Sequence, residues 1–467
     1  MRHVLRWKHG AQWRVAEGVL DGGLRTSIGG RSSLRACRGL FLGLVVLTAG
    51  LTWSGLSASA GSLIVSRGIA GLGAGFVFPA TLATLSGTLV GAWKDRAVSI
   101  WAASVMLGGA LGIAEGAAML EVAWWGASFL VVAGLGVLSL ALALVVVPET
   151  KDSDGASVDP LGSFLSIVAV GGGLVLGITE GPPHGWTSPG TLTALLIGGA
   201  AAPAFVCWDL RAERPLVDLR ALRDRTLGAS SASIFVVFLA DFGLAFILFQ
   251  FARYVFGYNS LRCALLLMLG AVTFAPCAFA GPPLAQRLGL RVVLAAGMTT
   301  CAAATTLLAL VGSSSIVYLT IGLMILYGGL GLVMTPATQA IIEAYPAAEQ
   351  GAASALNDIM RELGAAIGIA VLGAGFSAGY RYRVTDLGHS GLPGGLFSAI
   401  ERSPALGLEA ITRLGGSPQD ISILRNSVNA GWRAAMVLAT FSLLVGVAVT
   451  LWRLRPETST GPVHPEV

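Results

Sequence analysis

Long apolar segments constrain the fold of this chain more than any other feature. Twelve of them are long enough to cross a bilayer, whose hydrocarbon core requires roughly 20 apolar residues per helix. They lie at about 39–59, 62–89, 97–119, 122–147, 160–179, 189–210, 228–252, 260–281, 291–311, 314–336, 350–377 and 432–453. Because backbone amides cannot stay unpaired in lipid, each segment is predicted to be a helix. The predicted fold class is an all-α polytopic membrane protein.

The composition agrees with this class and excludes others. Hydrophobic residues make up 54% of the chain and charged residues only 12%, whereas soluble domains are about 25% charged. That leaves too little polar surface for a set of soluble domains, a disordered chain or a nucleic-acid binder. The five cysteines show no metal-ligand spacing, so neither a metal site nor a cofactor is expected.

Basic residues are distributed unevenly between the two sets of loops. The set that includes both termini holds 20 Lys and Arg, and the opposite set holds eight, most of them in or beside the long outer loop 378–431. Cytoplasmic loops carry the excess of Lys and Arg, so both termini are predicted to be cytoplasmic. Arginine greatly outnumbers lysine, which is typical of GC-rich coding DNA. We therefore expect a multi-pass protein of a bacterial plasma membrane.

Short motifs recur in the same order at nearly constant spacing, which indicates an internal repeat. The matching pairs are 24–31 with 284–291, Pro79-Ala80-Thr81 with Pro336-Ala337-Thr338, and Gly108 and Gly112 with Gly364 and Gly368. Repeated groups of helices are typical of secondary transporters, which place the substrate site at the repeat interface.

The repeat also predicts how the chain is divided. The expected regions are an N-terminal segment 1–38, an incomplete first bundle 39–147, an inserted helix pair with a cytoplasmic linker 148–226, a six-helix second bundle 227–455, and a tail 456–467. Two helices precede the second copy of the first motif, but too few residues precede the first copy to form any. Two helices are therefore expected to be missing from the front.

These motifs resemble those of the major facilitator superfamily, specifically its fourteen-helix drug:proton antiporter branch, over roughly residues 22–455. Motif A of the family is similar to 24–31 and 284–291, motif B to the run from Arg67 to Pro79, and motif C to Gly108 through Ala117. The stretch 250–261 resembles the loop that opens the second half in this branch. The chain departs from the motifs where Thr26 and Gln286 replace Asp, Ile113 replaces Pro and Ala117 replaces Gly.

The candidate functional residues fall into four groups. Charged side chains inside apolar segments are candidates for proton coupling: Asp241, Arg67, Asp358, Arg361 and Glu115. Helix packing or gating is expected at Gly71, Gly75, Pro79, Gly108, Gly112 and Gly116. The substrate path is expected to include Gln250 and Asn357. The resemblance assigns the motif A loops to Gly29, Arg31, Gln286, Arg287, Gly289 and Arg291.

Several of these candidates also have a purely structural explanation. The stripe of Gly108, Gly112 and Gly116 can serve static packing as well as gating. Asp358 and Arg361 are three residues apart and can simply pair. A lone Arg in the membrane costs roughly 2.5–3.5 kcal/mol, so Arg67 should face protein or water. Asp241 either carries protons or lines a water-filled cavity.

The leading functional hypothesis is proton-driven export of amphipathic small molecules by alternating access. We expect the exporter to be a monomer in a lipid bilayer that binds no nucleic acid. The rival hypothesis is a truncated, non-transporting remnant, or a membrane protein with a binding or regulatory role. An enzyme is not expected, because the sequence shows neither a nucleophile with its base nor a metal site.

Overall fold

The computed structural model describes residues 36–89, 91–146, 160–169, 187–212, 219–311, 315–346, 350–387, 404–414 and 417–454, with a few single positions between them. Within these residues thirteen α-helices form: α1 Ala36–Gly55, α2 Ala60–Thr88, α3 Ala92–Val122, α4 Gly126–Val146, α5 Pro160–Ile167, α6 Pro189–Asp209, α7 Arg225–Phe256, α8 Ser260–Leu288, α9 Leu290–Val311, α10 Ile316–Glu343, α11 Gln350–Leu387, α12 Pro404–Leu414 and α13 Pro418–Arg453. The prediction of an all-α membrane protein is confirmed.

Ten of the described helices are long and apolar enough to span a membrane, and α1 contributes a shorter apolar helix over Gly39–Gly55. Together they correspond to eleven of the twelve predicted segments. The remaining segment, 160–179, lies largely outside the described residues, and α5 covers only its beginning.

Helix continues beyond the apolar stretches on both sides of the predicted outer loop 378–431. Helix α11 extends to Leu387, and α13 already begins at Pro418. Ser417 starts α13 with a capping box: its hydroxyl accepts from the Asp420 amide at 3.3 Å, and the Asp420 carboxylate accepts from the Ser417 amide at 2.7 Å. Backbone hydrogen bonds and caps of this kind sustain helix in polar sequence, where hydropathy gives no signal.

The described helices divide into two compact units. The first unit contains α1, α4 and most of α2. Here α1 approaches α2 closely at small residues: a Cβ on Gly50 would lie 2.5 Å from the Ala70 amide nitrogen, and one on Gly73 would collide with the Leu47 backbone. Close approach at glycine is how helices gain packing energy in lipid, where no hydrophobic force draws them together.

The second unit contains α3 and α5 through α13. At its core α7 packs along α11 and α13, while α10 packs along α8 and α9. Gly364 and Gly368 of α11 lie directly against the carbonyl oxygens of Phe235 and Leu239 on α7. These two contacts are spaced alike on both helices, so α7 and α11 run in the same direction.

Trp432 of α13 joins three helices of this unit. Its indole N–H donates to the Leu308 carbonyl on α9 at 2.9 Å, and its ring stacks on Phe251 of α7 with centroids 4.3 Å apart. The side chain is fully buried. A buried indole with its one donor satisfied anchors the packing of α13 against both neighbours.

The glycine contacts give a stability prediction with a matched control. We expect Gly368→Ala to lower the melting temperature of the purified protein, since the new methyl group collides with the Leu239 backbone and overpacking costs roughly 1–3 kcal/mol. Gly108→Ala is the control, because no described atom lies within 4 Å of its added Cβ. There Ala should be neutral or stabilising by roughly 0.5–1 kcal/mol. Equal melting temperatures for the two variants would contradict the packing described.

Candidate functional site

Asp241 is a buried carboxylate inside a membrane-spanning helix. It lies in the middle of α7 and is 5% exposed. Tyr327 of α10 lies within hydrogen-bonding reach of the Asp241 carboxyl. Gly270 of α8 leaves room for the Tyr327 ring, with which any Cβ there would collide. The carboxylate is therefore positioned by α7 and α10, and indirectly by α8.

The hydrogen bonding of this carboxylate is incomplete within the described part of the chain. Its Oδ1 is buried and has no hydrogen-bond partner there. The ion pairs Arg361–Asp358 and Arg413–Glu409 involve other carboxylates. An ionised carboxylate in so apolar a place is costly unless a proton, a cation or water compensates its charge.

A second buried polar group lies on α11. The Thr338 hydroxyl of α10 donates to Asn357 Oδ1 at 3.1 Å, and both residues are fully buried. Arg361 Nη1 donates to Asp358 Oδ1, also at 3.1 Å, and these two side chains are 5% and 10% exposed. The predicted pairing of Asp358 with Arg361 is thus present in the structure.

Two aromatic rings accompany the Arg361 guanidinium. Its carbon lies 5.3 Å from the centroid of the Trp101 ring on α3 and 4.9 Å from that of Phe238 on α7. A desolvated guanidinium is attracted to aromatic faces. Arg361 therefore links α3, α7 and α11. Sequence reasoning missed Trp101, since an aromatic residue in an apolar helix carries no signal of its distant partner.

Buried hydroxyl groups cluster at the end of the second unit where α7 and α11 begin and α10 ends. Four of them have no hydrogen-bond partner among the described residues: Ser230, Ser231, Thr335 and Ser354. The Nδ2 of Asn357 and the Oδ2 of Asp358 share this property. Buried polar groups without protein partners are normally hydrated. This end of the unit is therefore suited to hold water.

Arg67 and Glu115 belong to α2 and α3. Arg67 belongs to the first unit, where its exposed guanidinium lies 5.2 Å from the Phe129 ring centroid. Glu115 is a half-buried residue of α3.

Four of the glycines predicted for packing or gating make no close contact with the part of the chain that the structure describes. At Gly71, Gly75, Gly108 and Gly112 an added Cβ would meet no described atom within 4 Å. Their role in packing or gating stays a prediction. Gly116 is half-buried, and the Pro79 side chain lies outside the described residues. Gly73, in the same glycine-rich run, makes the close contact instead, and the sequence gives no means of choosing it.

The second motif A copy forms the connection between α8 and α9. Gly289 ends α8 with a φ of 84°, a conformation that favours glycine. Gln286 and Arg287 are exposed, and Arg291 donates to the Leu451 carbonyl of α13 at 3.1 Å. The predicted Gly29 and Arg31 lie outside the described residues.

Gln250 lines a cavity of about 240 Å³ beside the turn between α7 and α8. The same turn is held to α3, because Asn259 Nδ2 donates to Glu121 Oε1 at 2.6 Å. The structure thus separates the two substrate-path candidates, since Gln250 belongs to this turn and Asn357 to the polar group on α11.

A family model and several proteins of known role match this chain. The family model described as Major Facilitator Superfamily matches residues 27–369. Multidrug resistance protein Stp of Mycobacterium tuberculosis is 32% identical, over 79% of this chain and 69% of its own. Multidrug efflux pump LfrA of Mycolicibacterium smegmatis is 28% identical, over 70% of this chain and 65% of its own length. Methyl viologen resistance protein SmvA of Salmonella typhimurium is 28% identical, over 89% of this chain and 83% of its own length.

Solved structures share the fold at low sequence identity. A bacterial homolog of the human lysosomal transporter Spinster, in an inward-facing and unoccupied conformation, gives a TM-score of 0.52 at 15% identity, over 94% of this chain and 86% of that one. A POT family transporter in complex with a thioalcohol-conjugated peptide gives a TM-score of 0.52 at 15% identity. That match covers 90% of this chain and 82% of the transporter.

The buried ion pair gives the second prediction. Arg361→Gln should lower stability strongly, because removing one partner of a buried pair leaves an uncompensated charge and costs roughly 3–5 kcal/mol. Adding Asp358→Asn removes that charge and should restore a large part of the loss. Thermal unfolding of the detergent-purified single and double variants measures both effects. A double variant no more stable than Arg361→Gln would contradict the pairing.

Proposed function

Because the chain belongs to the major facilitator superfamily, we propose that it exports amphipathic small molecules across the membrane in exchange for protons. Three relatives that share most of its length are a multidrug resistance protein, a multidrug efflux pump and a methyl viologen resistance protein. The roles in their names favour export over a non-transporting membrane protein. The structural observation that carries the proposal is Asp241, a carboxylate buried in the middle of a membrane-spanning helix with no paired cation among the described residues.

Charge compensation at Asp241 supplies the coupling. The ionised carboxylate needs a cation or water, while the protonated carboxyl is neutral and can stay in an apolar site. A cationic substrate and a proton therefore compete for the same group. By linkage, each lowers the affinity for the other by the same factor. Tyr327 holds the carboxyl in place in either state.

Asp358 is the weaker candidate for coupling. Arg361 already compensates its charge at 3.1 Å, and two aromatic rings hold that arginine in position. A proton arriving at Asp358 would have to displace this pair. We assign the Asp358 and Arg361 pair a structural role, namely to hold α3 and α7 against α11.

The buried hydroxyls of Ser230, Ser231, Thr335 and Ser354 are assigned to a hydrated route toward the centre of the second unit. With both termini in the cytoplasm, as the excess of basic residues favours, this route opens on the cytoplasmic side of a bacterial plasma membrane. Substrate exchange follows from alternating access around a central site, and the working form is a monomer.

Export by an Asp241→Asn variant tests the coupling. Asn has nearly the size of Asp and removes only the titrating group, so we expect export of a cationic dye, ethidium, to lose its dependence on the pH gradient. Asp224→Asn is the matched control on the same helix. Asp224 caps the start of α7 by accepting from the Leu227 amide at 2.9 Å, and Asn caps a helix equally well.

Dye efflux is measured in cells that lack other exporters, at equal expression of each variant and at several external pH values. The Asp224→Asn protein should export like the parent. If Asp241→Asn keeps the parental pH profile, the coupling group lies elsewhere.

A further inference from the structure

The cavity beside the turn between α7 and α8 is separate from the buried carboxylate. Gln250 lies nine residues after Asp241 on α7, which is roughly 13 Å along a helix. Seven residues line the cavity: Phe249, Gln250, Arg253, Tyr254, Tyr258, Ser260 and Cys263. At about 240 Å³ it is smaller than the roughly 300–1,000 Å³ of pockets for drug-sized ligands. It can hold a small molecule or one end of a larger one.

The lining is positively charged. Arg253 is its one charged residue, and the other polar lining groups are the Gln250 amide, two phenols and the Ser260 hydroxyl. No described carboxylate forms an ion pair with Arg253. Glu121 lies near the same turn, but it accepts a hydrogen bond from Asn259, which does not line the cavity. Arg253 is an exposed residue. Its guanidinium, without a carboxylate partner among the described residues and beside neutral hydrogen-bond donors, favours an anion.

The chemistry of the walls narrows the choice of anion. Arginine presents a planar fork of donors that matches a carboxylate or sulfonate. Phe249, Tyr254 and Tyr258 are aromatic residues of the same lining, and the Arg262 guanidinium carbon lies 5.8 Å from the Tyr258 ring centroid. Aromatic side chains pack well on a flat ring. A ligand with an anionic group at one end and an aromatic ring beside it matches both features of the lining.

We infer that this cavity binds the anionic end of a small aromatic molecule, a carboxylate or a sulfonate, with Arg253 as the anion-binding residue. The inferred binding depends only on the residues that line the cavity and not on the proposed export. With both termini cytoplasmic, as proposed, this turn faces the outside, so the cavity takes its anion from the outside and lies apart from the Asp241 group for which a cationic substrate and a proton compete.

Calorimetric titration of the full chain in nanodiscs tests the binding. The probes are 2-naphthoate and 2-naphthylmethanol, which share a ring system and differ in charge. We expect naphthoate to bind at least about tenfold more tightly than the alcohol, as charge-assisted hydrogen bonds to arginine imply. Arg253→Gln should remove that advantage and leave alcohol binding unchanged.

Two further variants complete the test. Arg425→Gln is the matched control, an exposed arginine of α13 outside the cavity, and it should bind naphthoate like the parent. Gln250→Leu keeps Arg253 and should weaken naphthoate binding a few-fold. Equal affinity for both probes, or equal losses in Arg253→Gln and Arg425→Gln, would overturn the inference. Because binding is measured without a proton gradient, a failure of export would leave this result intact.

Discussion

The close approach of α7 and α11 is the contact on which the arrangement of the second unit depends. Gly364 and Gly368 let α11 lie directly on the Phe235 and Leu239 carbonyls. At that separation the Phe238 ring reaches the Arg361 guanidinium. In lipid, packing of this kind must replace the hydrophobic force that holds soluble helices together. The glycines thus determine where the buried charges of both helices are placed.

Two buried acids of this unit, Asp241 and Asp358, differ in how their charge is compensated. Asp358 has a cation of the same helix beside it, so its charge is satisfied within the protein. Asp241 has the neutral Tyr327 beside it and a second oxygen without a described partner. Only the second arrangement leaves the charge to be balanced by a proton or a substrate. The proposal that Asp241 serves coupling and Asp358 serves structure rests on this difference rather than on burial.

The sequence alone predicted the membrane spans and one ion pair, since the lipid environment and helix geometry determine both. The membrane spans could be predicted from hydropathy, because in lipid the backbone of each segment must form its hydrogen bonds within its own helix. The pairing of Asp358 with Arg361 could be predicted from their spacing on one helix. The contacts of Trp101 with Arg361 and of Tyr327 with Asp241 join distant helices and leave no periodic trace. Nor could sequence tell that Gly73 rather than Gly71 meets a neighbouring helix, or that α13 begins in polar sequence at Pro418.

Proton release on substrate binding tests the central claim most directly. Detergent-purified protein is held in weakly buffered solution below neutral pH, and a cationic substrate is added while the bulk pH is recorded. If Asp241 exchanges a proton for the substrate, the parent protein releases protons in proportion to bound substrate, and Asp241→Asn binds without release. Equal release from both proteins would contradict the assignment of coupling to Asp241.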